Sequence, residues 1–164
     1  MSLQDRVTQI YKDARDDVYR YLLTLGLKPG DAQDLTQDVF LRLFQFLQRG
    51  GEIENPRAWA FRVAHNLAVN SRTRQRIMDP VDTHLERITA GGGLSPEHQV
   101  LAAEANGRLH EALATLSPQQ RQCLHLRAEG LRYREIAETV GIGVSTVSEF
   151  LGRAVTRLRK AVHG

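Results

Sequence analysis

The side chains able to do chemistry in this chain are arginines and amides at helical spacing, not nucleophiles or metal ligands. Six histidines (His65, His84, His98, His110, His125, His163) and the single Cys123 show no metal-ligand spacing. Cys123 and His125 are two apart in a helical pattern, so they do not face each other. No glycine-rich phosphate loop or nucleophile motif is present. Catalysis, a metal and a cofactor are therefore not expected. Charge is distributed more tellingly than its sum of +3 suggests. From Asn55 to Met78 there is no acid but five arginines, Arg57, Arg62, Arg72, Arg74 and Arg76. A second acid-free run from Gly152 holds Arg153, Arg157, Arg159 and Lys160, while Asp79 to Glu104 is acidic on balance. Two basic patches on either side of an acidic middle fit a polyanion gripped at two places.

Within the first patch, a 3.6-residue period from Pro56 puts Ala60, Val63, Ala64 and Leu67 on a stripe expected to face the core. The opposite side carries Arg62, Asn66, Asn70 and Thr73, with Trp59 at its flank. Asparagine amides both donate to and accept from base edges, and an indole can stack on an unpaired base or pack in a core; both readings of Trp59 stand. Arg72, Arg74 and Arg76 continue past this face, where they could hold phosphates. The second patch belongs to a helix, a glycine turn and a helix. Ile136, Ala137 and Val140 form one apolar face, Val147, Leu151, Ala154 and Leu158 the next, and Gly141 and Gly143 are free to take positive φ between them. This is the layout of a DNA-binding helix-turn-helix, with a plain helical hairpin as the alternative; the acid-free basic run that follows favours DNA, and the second helix offers Ser145, Thr146, Ser148, Glu149, Arg153 and Arg157. Arg132 and Arg134, before the turn, suit phosphate clamps.

The elements that position these groups are helical throughout, giving an all-α fold with explicit boundary signals. Pro29-Gly30 is expected to end a first helix, and Asp31 to cap a second with Asp34 completing a capping box. Gly50-Gly51 ends the second, and Asn55-Pro56 opens the third with a cap and a proline at its first position. Ser95-Pro96 and Ser117-Pro118 repeat the device, with Gln120 completing a box after Ser117. Residues 77–94 hold Pro80 and Gly91-Gly92-Gly93, the composition of a flexible linker. Two small domains follow, 1–76 and 95–164, the second containing the helix-turn-helix. No apolar run spans a bilayer, the amino-terminal stretch is charged unlike a secretory signal, and one cysteine fits a reducing cytoplasm.

The second helix differs from the basic ones. Leu35, Val39, Leu43 and Leu47 form its buried side, with Phe40, Phe44 and Phe46 adding bulk. Its other side shows Asp34, Asp38, Arg42 and Gln45, beside Gln37 and Leu41. Acids around an exposed leucine suit a protein that presents arginines rather than DNA, although the residues by themselves fit an ordinary solvated face equally.

In this order and spacing, DAQDLTQDVFLRLF, NPRAWAFRVAHNLAVNSRTRQR and the closing helix-turn-helix resemble bacterial extracytoplasmic-function sigma factors. The resemblance implies that Asp34, Gln37, Asp38, Leu41 and Arg42 dock on the clamp helices of core RNA polymerase. It implies that the helix with Asn66 and Asn70 melts and reads the minus-ten promoter element, and that the helix-turn-helix reads the minus thirty-five element. The linker would run near the RNA exit path. An anti-sigma partner, often the cytoplasmic tail of a membrane protein, is implied as well. The glycine-rich linker ending in Ser-Pro-Glu is similar to the iron-starvation (ferric-citrate-type) subgroup. Two departures stand out. The family usually has aspartate where Asn70 stands, and it lacks the acid Glu149, having basic residues at the positions of Ser148 and Phe150. Arg153 keeps a family cation. Read without the resemblance, the residues also allow a stand-alone helix-turn-helix regulator, or a helical adaptor whose basic faces bind acidic proteins.

Overall fold

The computed structural model describes the backbone of residues 1–75 and 96–163, and the side chains of 1–71, 104 and 106–163. The expected linker at 77–94, the Ser95 cap and Arg76 lie outside the described residues. Those described form seven helices and no strand: α1 Leu3–Thr24, α2 Pro29–Gln48, α3 Pro56–Gln75, α4 Pro96–Ala114, α5 Pro118–Ala128, α6 Tyr133–Val140 and α7 Val144–His163. They make two compact units: α1, α2 and α3 pack on one another, while α4 and α5 pack on α7. No described helix is long and apolar enough to cross a membrane.

In the first unit α1 buries Ala14, Val18, Tyr21, Leu22 and Leu23, and α2 buries Ala32, Thr36, Val39, Phe40, Leu43 and Leu47. Both sets follow helical spacing, so each helix turns one apolar stripe inward. Leu35, expected in the α2 stripe, is only half-buried. The boundary between α1 and α2 also differs from expectation. Helix α1 stops at Thr24, with Gly26 at φ +97° and its N–H on the Leu23 carbonyl. Pro29 then opens α2 instead of closing α1, Lys28 is the cap position, and no side chain caps it. Asp31 sits inside the first turn of α2, its negative charge at the positive end of the helix dipole. A proline lacking an N–H is as acceptable at the first helical position as after a helix end, so Pro-Gly alone does not distinguish the two.

Gly50, at φ +87°, ends α2 as expected. Asn55 then caps α3, its side-chain oxygen accepting from the Ala58 N–H at 3.3 Å. The face that α3 buries is rotated from the expected one. Ala60 and Ala64 are buried, but Val63 and Leu67 are only half-buried, and Phe61, His65 and Ala68 take the core positions. Tyr21 of α1 explains the choice. Its ring meets Phe61 edge-on at 5.6 Å, and its hydroxyl lies 2.8 Å from His65 Nδ1 in a buried contact.

Arg57 on the first turn of α3 donates to Asp17 of α1 at 2.8 Å, and Arg20 bonds the same carboxylate. Partial burial alone would raise the Asp17 carboxyl, but the two arginines outweigh it and hold it below the usual 3.8. A depressed carboxyl contributes stability that is complete above its unfolded value and is lost as pH falls through the folded one. Asp17→Asn is therefore expected to lower stability by about 1 kcal/mol at pH 7. The difference from wild type should vanish well below pH 3.8. Urea melts at the two pH values measure this; an equal deficit at both would refute it.

In the second unit, the Ser117 hydroxyl accepts from the Gln120 N–H at 3.2 Å and the Gln120 side chain accepts from the Ser117 N–H at 3.1 Å, the expected capping box of α5. Cys123 is fully buried, and burial pushes its thiol up to about 11, so it is a packing residue with little thiolate. The antiparallel helices α4 and α7 hold each other's ends: Arg108 donates to the Ala161 carbonyl at 3.1 Å, and Arg157 to the Thr115 carbonyl at 2.8 Å. Between α6 and α7 only Gly141 takes positive φ, +82°, with the Ile142 N–H closing on the Ala137 carbonyl. Gly143, expected to share that freedom, does not use it. Ile136, Ala137, Val147, Leu151 and Ala154 are buried across the turn, whereas Val140 and Leu158 are half-buried.

Candidate functional site

Three exposed faces gather the residues singled out by type and spacing. On α2, Asp34, Gln37, Leu41 and Arg42 are exposed and Asp38 is half-buried. Arg42 Nε donates to Asp38 Oδ1 at 3.2 Å, one turn away. Leu41 is 56% exposed, an apolar side chain left in a polar strip. Beside it, between α2 and α3, runs a shallow groove of about 440 Å³ lined by Arg42, Gln45, Phe46, Arg49, Trp59 and Val63. The rings of Phe46 and Trp59 pack at 5.8 Å, tilted by 35°, so Trp59 is half-buried with part of its surface in the groove. Phe46, expected to add bulk to the buried side of α2, is only half-buried and lines this groove, and Arg49 was not singled out by sequence. The signal available was their spacing, with Phe46 four residues beyond Arg42 and Arg49 three beyond Phe46.

On α3, Arg62, Asn66 and Asn70 are exposed and share one face with the half-buried Trp59. At about 1.5 Å rise per residue, positions 59 to 70 extend roughly 16 Å, close to the length of five stacked nucleotides. Arg72 and Arg74 belong to the last turns of α3, their side chains outside the described ones, and Arg76 lies beyond it. Arg57 is not part of this surface. It is tied to Asp17 and lies over the Phe61 ring at 5.3 Å, so one of the five arginines of the basic run serves the fold. His65, next to Asn66 in the chain, points the other way into the Tyr21 contact.

On the helix-turn-helix, Arg132 and Arg134 are exposed, and the Arg132 N–H donates to the Glu135 side chain at 2.8 Å, fixing the start of α6. Ser145, Ser148, Glu149 and Arg153 are exposed on α7 and Thr146 is half-buried. Glu149 and Arg153 form an ion pair at 2.5 Å across one turn. Arg157 is exposed but gives one donor to Thr115 at the end of α4, a structural role besides any contact with phosphate. A second shallow groove, about 450 Å³, follows this side of α7 past Gly152 and Thr156 to Lys160. No cluster of potential metal ligands occurs among the described residues.

Comparison with known proteins matches these units to one family. Residues 10–77 match Sigma-70 region 2, and residues 106–158 match Sigma-70, region 4. The chain is 32% identical over 156 residues to the ECF RNA polymerase sigma factor SigE of Mycolicibacterium smegmatis, covering 92% of this chain and 59% of that protein. It is 30% identical over 152 residues to the ECF RNA polymerase sigma factor SigL of Mycobacterium tuberculosis, covering 92% of this chain and 85% of that one. The ferric citrate uptake sigma factor FecI of Escherichia coli is 29% identical over 126 residues, covering 76% of this chain and 72% of FecI. The chain thus spans about three fifths of the length of the first of these relatives and most of the other two. Among solved structures, the fold is similar to the sigma factor RpoE of Bartonella quintana in complex with the anti-sigma factor NepR. The TM-score is 0.63 at 22% identity, covering 94% of this chain and 95% of that one. It is similar also to CnrH in complex with the cytosolic domain of CnrY, with TM-score 0.58 and 22% identity over 96% and 87% of the two chains. With two sigma regions in order and SigL matched over most of its length, the chain belongs to the ECF family of RNA polymerase sigma factors.

Proposed function

We propose that this protein binds core RNA polymerase and directs initiation at specific promoters, without catalysis of its own, and that an anti-sigma partner holds it in check. One observation carries the reading: a single helical unit presents an acid-flanked leucine strip on α2 and an acid-free amide and arginine face on α3. The first suits a protein surface bearing arginines, the second suits a melted strand, and a polymerase at an open promoter offers both. In this reading Asp34, Gln37, Asp38, Leu41 and Arg42 meet polymerase. Trp59, Arg62, Asn66 and Asn70 take the minus-ten element, with Arg72, Arg74 and Arg76 on its phosphates. The α6–α7 pair reads the minus thirty-five element through Ser145, Thr146, Ser148, Glu149 and Arg153, with Arg132, Arg134 and Arg157 at its backbone. The working units are 1–76 and 95–164, joined by a linker at 77–94, and the site of action is the cytoplasm, where polymerase and nucleoid are.

Regulation by an anti-sigma factor is supported by the similar fold of RpoE, co-crystallised with the anti-sigma factor NepR, and by that of CnrH, solved in complex with the cytosolic domain of CnrY. Membership of the iron-starvation subgroup is supported by the similarity to FecI and by the Ser-Pro-Glu that closes the glycine-rich stretch.

Unstacking bases costs a few kcal/mol per step, which base contacts and polymerase binding must together offset. The isolated chain should accordingly bind promoter duplex weakly. The deciding experiment is reconstituted transcription with purified chain, core enzyme and a promoter library sequenced for start sites. Defined starts only in the presence of the chain support the proposal; none on any template removes it. A stand-alone regulator would instead dimerise and bind a half-site repeat without polymerase. Within the holoenzyme, Arg74→Ala is expected to lower the slope of log affinity against log salt by about one unit, because one phosphate contact disappears. An unchanged slope means that Arg74 holds no phosphate.

A further inference from the structure

We infer that Glu149 and Arg153 act together as one two-headed reader of a single G·C base pair. The inference deepens the promoter-reading role proposed for α7 and rests on it.

Glu149 is the lone acid of α7, on a helix that carries Arg153, Arg157, Arg159 and Lys160. Facing phosphates, a carboxylate opposes binding to every DNA sequence equally. It favours a sequence only where a base donates a hydrogen bond in return, and in the major groove cytosine N4 is such a donor. The geometry adds Arg153. Glu149 Oε1 and Arg153 Nη2 are 2.5 Å apart, with the glutamate one turn amino-terminal to the arginine, the favourable order along a helix. Both side chains are more than half exposed, at 54% and 58%, so the pair contributes little to folding. It does fix where each head lies. Gly152 stands between them with open space where a Cβ would be, so no side chain there screens the pair from a ligand. Arg157, the next cation, donates to Thr115 instead.

A G·C pair offers the complement of this arrangement. Cytosine N4 and guanine O6 lie side by side at a hydrogen-bond distance of about 2.9 Å, and guanine N7 follows on the same edge. The carboxylate accepts from N4, while the guanidinium keeps its remaining donors for O6 and N7. An A·T pair also has an amine donor, but no base in it presents two adjacent acceptors to the arginine fork. Neither side chain alone would fix both members of the pair. Together they distinguish G·C from the other three arrangements.

The test uses holoenzyme assembled from core polymerase and the full chain, competed on promoters with the upstream element randomised. The wild-type chain is expected to favour one G·C pair, in one orientation, by roughly 5- to 150-fold at a single position. Glu149→Ala and Arg153→Ala should each relax that same position. The double variant should relax it no further than the stronger single one. Far-UV circular dichroism checks that the helices persist. Relaxation at two different positions overturns the joint reader, and so does a Glu149→Ala gain that is equal on all sequences. A holoenzyme that initiates at defined starts but ignores every upstream base removes the reading role of α7 itself.

Discussion

Leu41→Ala is expected to weaken binding to core RNA polymerase by about 2 kcal/mol, roughly thirtyfold, while leaving the fold unchanged. The two halves of that expectation have separate causes. In the free chain Leu41 is 56% exposed, so truncating it opens no cavity. Alanine is also at least as good a helix former as leucine, which keeps the stability change within about half a kcal/mol. In a complex, the same side chain would be the apolar centre of a strip whose rim is Asp34, Gln37, Asp38 and Arg42. Central apolar anchors with a charged rim carry most of the affinity in such interfaces. The rim charges should act differently. Asp38 and Arg42 already pair at 3.2 Å and remain partly solvated, so they chiefly influence orientation and association rate. Titration of labelled core with wild-type and variant chains measures the loss, and thermal melting monitors the fold. Unaltered core affinity would place the polymerase contact elsewhere on the first unit.

How much of this could be read from sequence depends on how local the signal is. The caps at Asn55 and Ser117 and the turn at Gly141 are settled within three or four residues, and the structure has each where the residue types suggest. The helical class and the two units follow from the same local signals. The orientation of α3 did not, because that helix is rich in alanine and carries small apolar residues on several sides. Its apolar pattern is too even to choose a face by itself. The face was decided forty residues away, by Tyr21, whose ring and hydroxyl select Phe61 and His65. Two arginines assigned to basic runs have long-range duties of the same kind: Arg57 on Asp17, and Arg157 on the Thr115 carbonyl. A run of cations shows where positive charge accumulates in the chain. Which members remain available to a polyanion depends on acids and carbonyls that only the folded chain brings near. Conversely, the exposed face of α3 was legible in spite of the misjudged core stripe. Arg62, Asn66 and Asn70 are polar and at helical spacing, so a modest rotation of the helix leaves them outside.

Phe61→Ala should produce the same loss of polymerase and promoter binding as a surface change, but for the opposite reason. Phe61 is fully buried, its ring edge-on to Tyr21 at 5.6 Å and beneath the Arg57 guanidinium at 5.3 Å. Truncating a buried phenylalanine costs about 3–5 kcal/mol, from lost transfer energy and the cavity left behind. A helical unit of this size has a stability on the order of 4–11 kcal/mol, so the substitution removes a large share of it. Helix α3 is the element at stake. Without Phe61 the contacts described between α3 and α1 are polar ones, the Tyr21–His65 pair and the Arg57–Asp17 ion pair. The face carrying Arg62, Asn66 and Asn70 would then lose its support even though none of those residues is altered. Thermal melting should show a marked drop in the transition of the first unit, with binding recovered on cooling. A variant that melts like wild type yet fails to bind would instead give Phe61 a direct part in the interface, against its burial. Set beside Leu41→Ala, the two substitutions separate contact from support: one removes affinity from an intact unit, the other removes the unit that holds the contacts.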